Sequence, residues 1–267
     1  IFGGNMNKIQ DFECESCSNE PTDRINIQRF FSKLDELFSR NDLPAAGRLM
    51  DYWEHDARAL GDERGLLEVL NEETGYFRRT GEKEKAEKAI SEALALTEKL
   101  GLSETVSGAT IYVNCATTMK AFGEAEKALP YYEKARLVYE KNLEKGDFML
   151  AALYNNTALA LADLGRTAEA EEHFLLAIET LKAGGSHNGE IAVSYVNLAQ
   201  LYYGAGINEK IPSALESGWE YLSSENNPHD GNFAFICSKC APAYRDFGQI
   251  QRADILFNTA KEIYERA

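Results

Sequence analysis

Glycine recurs at an almost constant interval along this chain. Gly81, Gly123, Gly165, Gly206 and Gly248 are separated by 42, 42, 41 and 42 residues. A fixed interval of about 20 to 50 residues is typical of proteins that stack one structural unit many times. We therefore expect the chain to fold as a series of similar units.

The residues after each glycine repeat with helical spacing. A small or apolar residue comes five positions after the glycine, a large apolar residue follows four positions later, and a small residue three beyond that. After Gly165 these are Ala170, Phe174 and Ala177. Such offsets place side chains on one face of an α-helix, and the stretch before each glycine has the same periodicity. Each unit is predicted to be helix, tight turn, helix, because glycine adopts positive φ at little cost.

A second set of glycines marks the joints between units: Gly61, Gly101, Gly146, Gly184, Gly185 and Gly231. They divide residues 65–267 into five helical hairpins. Residues 22–64 are expected to form one more, divergent hairpin in which Asn41 replaces the glycine. Residues 1–21 are interpreted as a tail, with Met6 as the native start and residues 1–5 as an expression remnant.

One proline conflicts with this scheme. Pro242 falls in the middle of the helix expected over about 233–247. A proline inside a helix lacks the amide hydrogen and clashes with the preceding turn. We expect a kink or a broken helix there.

Residues 154–177 carry the clearest copy of the repeat, Tyr-Asn-Asn-Thr-Ala-Leu-Ala-Leu-Ala-Asp-Leu-Gly-Arg-Thr-Ala-Glu-Ala-Glu-Glu-His-Phe-Leu-Leu-Ala. This segment resembles the tetratricopeptide repeat, and the pattern extends from about residue 65 to the end. The period near 42 is similar to the longer repeats of kinesin light chains and bacterial peptide-pheromone receptors. The resemblance implies an all-α fold, a right-handed α-α superhelix of about six hairpins whose concave groove binds peptides or proteins.

Charge and composition exclude several classes of partner. The chain has 43 acidic and 28 basic residues, a net charge of −15, and no block of Lys and Arg. Binding to nucleic acid or an anionic membrane needs clustered cations, so neither is expected. No apolar run approaches the roughly 18 to 20 residues of a membrane-spanning helix, and residues 1–20 lack a signal pattern. A cytoplasmic protein is predicted.

Recognisable catalytic motifs are missing from the sequence. There is no phosphate-binding glycine loop, no His-Glu-x-x-His and no Gly-x-Ser-x-Gly. The four histidines are scattered without ligand spacing. The chain is therefore predicted to be no enzyme and to need no cofactor.

Two Cys-x-x-Cys pairs leave two interpretations open: Cys14 with Cys17, and Cys237 with Cys240. Four thiolates could hold a tetrahedral zinc ion. The pairs are about 220 residues apart, however, whereas zinc modules use much shorter spacings. The second pair also falls at positions that usually pack, so buried thiols are the preferred interpretation and no metal is predicted.

The motif Tyr-x-Asn recurs in three successive first helices, ending at Asn114, Asn156 and Asn197. An amide side chain both donates and accepts hydrogen bonds, so it can bind a peptide backbone without reading its sequence. Similarly placed asparagines have that role in the family the chain resembles. The alternative is that each asparagine bonds a neighbouring helix and stabilises the stack. The tyrosines are expected to fill gaps between paired helices.

Other residues fall on the face that the family turns inward: Asn71, Arg78, Thr117, Lys120, Asn155, Leu159, Gln200, Tyr203 and Arg245. The three cations among them occupy one repeat position. They could hold carboxylates of a peptide, or they could complement the dipoles of the helix C-termini.

Together these patterns predict a non-catalytic scaffold that recognises an extended peptide segment in its groove. Main-chain contacts would come from the three asparagines, and specificity from Tyr203, Leu159 and the cations. A rival interpretation is an assembly module, in which the groove is filled by the tail, residues 6–21, or by a second copy in a homodimer.

Overall fold

The structure is a computed structural model, and it describes residues 24–185 and 187–266. Within these residues all regular structure is helical, with 12 α-helices and one short 3₁₀ helix. The predicted all-α fold is confirmed. The tail with Cys14 and Cys17 lies outside the described residues.

The helices follow one another with short connections. Their bounds are α1 Ile27–Ser39, α2 Leu43–Leu60, α3 Glu63–Thr80, α4 Lys83–Lys99, α5 Val106–Ala121, α6 Ala125–Asn142, α7 Phe148–Asp163, α8 Thr167–Gly184, α9 Asn188–Gly204, α10 Ile211–Leu222, α11 Gly231–Asp246 and α12 Ile250–Arg266, with the 3₁₀ turn at Asn208–Lys210. We call α3, α5, α7, α9 and α11 the first helices, because each precedes a periodic glycine, and the helices that follow those glycines the second helices.

The periodic glycines adopt the backbone conformation that the repeat requires. All five have φ between 70° and 81°, the left-handed region that side chains with a Cβ atom disfavour. Asn41 takes the same role between α1 and α2 with φ 54°. The sequence interpretation of these positions as turns is therefore confirmed by the backbone.

Many of the helices also begin with a side-chain cap. Such a cap satisfies one of the amide groups that the first turn of a helix leaves without a partner. The capping oxygens accept from a backbone amide two or three residues later, and they belong to Asn26, Asp42, Asp62, Thr105, Asp147 and Asp230.

The described residues divide into two compact units, one within residues 7–138 and the other within residues 139–267. In the first, α3 packs against α2, α4 and α5 around a core that includes Phe30, Met50 and Ile111. In the second, α9 packs against α7, α8, α10 and α11, with Leu153 and Phe174 fully buried. Within each unit the first helices therefore lie side by side. None of the described helices combines the length and apolar character needed to cross a membrane.

Of the two alternatives expected at Pro242, the broken helix is wrong, and the kink stays a prediction. The helix α11 continues from Gly231 to Asp246 with the proline inside it. Pro242 itself is exposed, while Cys240 and Tyr244 on either side of it are buried. Packing of α11 against α9 and α12 therefore stabilises the helix enough to offset one missing hydrogen bond.

Candidate functional site

The three predicted asparagines occupy the same place in successive first helices. Asn114, Asn156 and Asn197 each lie nine residues before a periodic glycine, on α5, α7 and α9. We call this set the amide ladder. Asn114 and Asn156 are partly exposed, and Asn197 is 7% exposed.

Two members of the amide ladder are hydrogen-bonded to the preceding first helix of their unit. The Nδ2 group of Asn114 donates to Oδ1 of Asn71 over 2.8 Å, and that of Asn197 donates to Oδ1 of Asn155 over 3.0 Å. Each bond uses one of the two amide hydrogens of its donor. The side-chain oxygen and the second hydrogen of Asn114 and Asn197 keep the capacity to bind something else.

Asn156 differs from the other two members. Its side chain has no hydrogen-bond partner within the part of the chain that the structure describes. Asn71 and Asn155, the residues that accept from Asn114 and Asn197, lie ten positions before their glycines, and the repeat between them has Val113 at that position. The amide of Asn156 retains its full hydrogen-bonding capacity.

Asn71 and Asn155 were predicted to face the ligand, and the structure places both in buried positions. Asn71 is 7% exposed and Asn155 is fully buried. The Nδ2 atom of Asn155 has no partner among the described residues. Asn71 and Asn155 are thus placed to orient the amides of Asn114 and Asn197 by accepting a hydrogen bond from them. Any contact with a ligand would be made by Asn114 and Asn197 themselves.

The tyrosines of the motif pack between helices. Tyr112 is 1% exposed and its ring lies 5.9 Å from that of Tyr131 in the second helix. Tyr195 stacks on Tyr221 at 6.2 Å, with the ammonium group of Lys182 above both rings. The hydroxyl of Tyr154 donates to a carboxylate oxygen of Glu140 at 2.8 Å. These contacts match the expectation that the rings fill gaps between paired helices.

The three cations predicted to form one row have different surroundings. Arg245 is exposed, pairs with Asp254 at 2.7 Å and lies 4.9 Å above the ring of Phe257. Lys120 is partly buried. Arg78 is also partly buried, and its guanidinium has neither an ion pair nor a hydrogen bond with any of the described residues. Burial lowers the pKa of Arg78.

The remaining predicted residues are divided between the two units. In residues 7–138 the hydroxyl of Thr117 accepts from the hydroxyl of Tyr132 at 3.0 Å. In residues 139–267 Leu159 is partly buried, Gln200 is exposed, and Tyr203 is 67% exposed. The Tyr203 ring meets Phe247 edge to face at 5.6 Å.

Sequence reasoning missed the surroundings of two of these residues. Phe247 directly precedes the periodic Gly248, a position that was not considered as part of the site. Tyr132 lies nine residues after Gly123, at the large apolar position of its repeat, and the repeat pattern does not show that its hydroxyl reaches Thr117. Both contacts depend on helix packing rather than on spacing.

Two acidic residues on α3 were not anticipated at all. Glu73 is 4% exposed, and burial together with the nearby carboxylates of Glu54 and Asp51 raises its pKa to about 8. The pKa of Glu72 is raised to about 7, mainly by burial and then by Asp35. Each carboxyl group thus has a protonated fraction near neutral pH.

The described cysteines are buried thiols. Cys237 and Cys240 are 0% and 1% exposed, and burial raises the pKa of each to about 12. Metal ions bind thiolates rather than thiols. Within the described ranges no group of three or more His, Cys, Asp or Glu side chains is arranged to hold a metal ion. Cys14 and Cys17, the other two cysteines of the four-cysteine interpretation, lie outside the described residues.

Comparison with known proteins identifies the repeat. Residues 68–182 match the family model described as Tetratrico peptide repeat. Residues 68–182 therefore carry repeats of the tetratricopeptide type. Among curated protein sequences nothing matches it.

Several solved structures share this tetratricopeptide-type fold. One is a Podosopora anserina protein with nearly identical TPR-like repeats of the kinesin light chain kind, at 20% identity, TM-score 0.56, and coverage of 75% of this chain and 95% of that one. A Rap protein complexed with Competence and Sporulation Factor has 16% identity, TM-score 0.57, and coverage of 90% and 77%. The apo form of RapI has 12% identity, TM-score 0.61, and coverage of 90% and 98%. At these identities the likeness establishes a shared fold.

Proposed function

We propose that this protein is a non-catalytic scaffold that binds an extended peptide segment of a partner along its first helices. The amide ladder is the observation that carries this proposal. Amide side chains recur at one repeat position, and two of them are held by hydrogen bonds to the neighbouring first helix. Rigidly held polar groups lose little conformational freedom on binding, which favours affinity.

The chemistry of the ladder suits main-chain recognition. Each peptide unit of a ligand offers one N–H donor and one carbonyl acceptor, and an asparagine side chain can complement both. Packed helices are about 8 to 10 Å apart, and an extended chain advances about 3.3 to 3.6 Å per residue. Asn156 and Asn197, on the neighbouring helices α7 and α9 of one unit, would therefore contact every third residue of the peptide or a longer multiple.

One structural neighbour supports a peptide as the ligand class. The Rap protein of similar fold is seen in complex with Competence and Sporulation Factor. The low sequence identity means that this likeness concerns the fold, so the argument for this chain depends on the ladder. The net charge of −15 supports a protein or peptide as partner, rather than a nucleic acid or an anionic membrane. We place the protein in the cytoplasm.

The most informative variant is Asn156→Ala, because Asn156 has no hydrogen bond in the described part of the chain. Its loss should leave the free energy of unfolding within about 0.5 kcal/mol of the original. Enrichment of peptides from a random display library should nevertheless fall at least tenfold, and it should be abolished in the triple variant Asn114→Ala, Asn156→Ala, Asn197→Ala.

A matched control is Asn258→Ala, an exposed asparagine on α12, which should change neither stability nor enrichment. Circular dichroism would confirm folding of every variant. Repeating the selection with residues 6–21 deleted tests occupancy by the tail, since a gain in enrichment would show that the tail competes. Equal enrichment by Asn156→Ala and the original protein would contradict the proposal.

A further inference from the structure

The outer face of α8 carries an exposed leucine between two exposed glutamates. Leu175 is 47% exposed, and Glu172 and Glu179 precede and follow it on the same face of the helix. Neither glutamate forms an ion pair or a hydrogen bond with a residue that the structure describes. The neighbouring Glu171, in contrast, pairs with Lys210 at 2.7 Å. The two carboxylates beside Leu175 are therefore open to a cation from outside.

Helical geometry turns this face away from the first helices. The helix α8 packs against α7 and α9, and its buried apolar residues lie along one stripe: Ala170, Phe174, Ala177, Ile178 and Leu181. With 3.6 residues per turn, the positions of Glu172, Leu175 and Glu179 fall on the opposite side of the helix. This surface is therefore separate from the amide ladder, whose members belong to first helices.

A shallow groove opens on this surface. Its volume is about 350 Å³, and side chains of α8 line it: Ala168, Glu171, Glu172, Leu175, Leu176 and Glu179. The described lining thus combines aliphatic side chains with carboxylates and includes no cation. Such a surface offers apolar contact at its centre and attraction for positive charge around it.

The charge of the second helices differs between the two units. In residues 7–138, α4 has four lysines and four glutamates. In residues 139–267, α8 has four glutamates and one lysine, and α10 has two glutamates and no basic residue. The ammonium group of that lysine, Lys182, lies over the rings of Tyr195 and Tyr221. A partner of α8 therefore gains from carrying positive charge.

The spacing of the two carboxylates fits a helix better than an extended chain. Glu172 and Glu179 are seven residues apart, about 10.5 Å along the helix axis. A helix that lies alongside α8 repeats this spacing at its positions i and i+7, and its position i+3 or i+4 then falls opposite Leu175. Side chains on one side of an extended chain are instead about 6.6 or 13.2 Å apart.

We propose that the outer face of α8 docks an amphipathic helix of a protein partner, with Lys or Arg at two positions seven residues apart and a large apolar residue between them. The two cations pair with Glu172 and Glu179, and the apolar residue packs on Leu175. This site is additional to the one on the first helices, so the protein can hold an extended peptide and a helical partner together.

The probe is a display library of helical peptides about 18 residues long, in which positions i, i+3, i+4 and i+7 are randomised on a background of alanine and glutamine. The original protein should enrich Lys or Arg at i and i+7, and a large apolar residue at i+3 or i+4. The affinity of an enriched peptide should fall at least fivefold when NaCl is raised from about 50 to about 500 mM, because salt screens exposed charges.

The deciding variant is Glu172→Gln combined with Glu179→Gln. Both exchanges keep the shape of an exposed side chain, so circular dichroism should show an unchanged fold, while affinity for the enriched peptides should fall at least tenfold. The control, Glu84→Gln combined with Glu104→Gln, removes two charges from exposed positions in residues 7–138 and should bind as the original does. Leu175→Ala should weaken binding at least threefold, because it removes apolar contact.

Several results would overturn this inference. They are the absence of any enrichment, enriched peptides without the paired cations, and equal affinity of the two double glutamate variants. The amide-ladder variant Asn114→Ala, Asn156→Ala, Asn197→Ala should keep full affinity for the helical peptides. A loss of affinity in that variant would mean that these peptides bind the first helices, and it would equally contradict a site on α8. The proposed function is tested with extended peptides, so the two proposals fail separately.

Discussion

At the scale of single residues, the properties that matter most come from burial of polar groups. Asn71 and Asn155 are buried beside the amides they accept from, Arg78 is partly buried without a counter-charge, and Glu73 is a carboxyl group in the core. A residue of this kind costs stability in the free protein. For Glu73 this cost can be measured through its dependence on pH.

Glu73 should make stability depend on pH. Its pKa is raised from the ordinary 4.5 to about 8 by burial and by neighbouring carboxylates. Between these values the folded state binds more protons than the unfolded state, so stability falls as pH rises. Glu73→Gln should therefore stabilise residues 7–138 at pH 8, on the order of 3 kcal/mol, and have little effect at pH 5.

Urea unfolding at both pH values, followed by circular dichroism, measures this difference. Glu84→Gln is the control, because Glu84 is exposed on the neighbouring helix α4 and should change stability little at either pH. An effect of Glu73→Gln that is the same at pH 5 and pH 8 would show that the carboxyl group does not titrate as described.

The sequence predicts which polar residues occupy equivalent positions, but it does not predict which side chains they contact. It places Asn114, Asn156 and Asn197 at equivalent positions, because equal spacing is visible along the chain. The spacing does not show that Asn114 and Asn197 donate hydrogen bonds to Asn71 and Asn155, which lie in the preceding repeat and one position earlier within it. It also cannot show that Arg78 lacks a partner, because that depends on which side chains the packed helices bring together.

At the scale of helices and turns, the sequence is a reliable guide where one residue type has one physical role. Glycine is the residue that takes positive φ without strain, and all five periodic glycines do so. Proline is less decisive, since Pro242 lies within a continuous α11. Tertiary packing on both sides of a helix can outweigh one lost hydrogen bond.

Two glycines of the same helix pair give opposite predictions for substitution by alanine. Gly81 ends α3 with φ 78°, and a Cβ atom there would meet nothing within 4 Å. Gly81→Ala should thus destabilise by backbone strain alone, about 1 to 2 kcal/mol. Gly75 lies inside α3 with similar free space, and Gly75→Ala should stabilise by about 0.5 to 1 kcal/mol.

Thermal or urea unfolding of the two variants tests this contrast in one unit. A stabilising Gly81→Ala would mean that the turn does not need positive φ. A destabilising Gly75→Ala would mean that this face of α3 is more crowded than the structure shows.

At the scale of the whole chain, the repeat alone identifies the architecture. Its period of about 42 predicts stacked helical hairpins, and the match of residues 68–182 to the Tetratrico peptide repeat family agrees with it. Structures that share the fold have identities of only 12 to 21% where their TM-scores exceed 0.5. The fold is therefore shared by chains of very different sequence, as expected if the spacing of small, apolar and glycine residues specifies it.

The central claim is that the amide ladder binds the main chain of a peptide, and an N-methyl scan tests it most directly. A peptide enriched by the original protein would be synthesised with each backbone amide methylated in turn, and its affinity measured by calorimetry. N-methylation should weaken binding at least tenfold at positions about three residues apart, and these losses should vanish in the Asn114→Ala, Asn156→Ala, Asn197→Ala variant. Affinity that is insensitive to N-methylation at every position, but lost when side chains are changed to alanine, would contradict the claim.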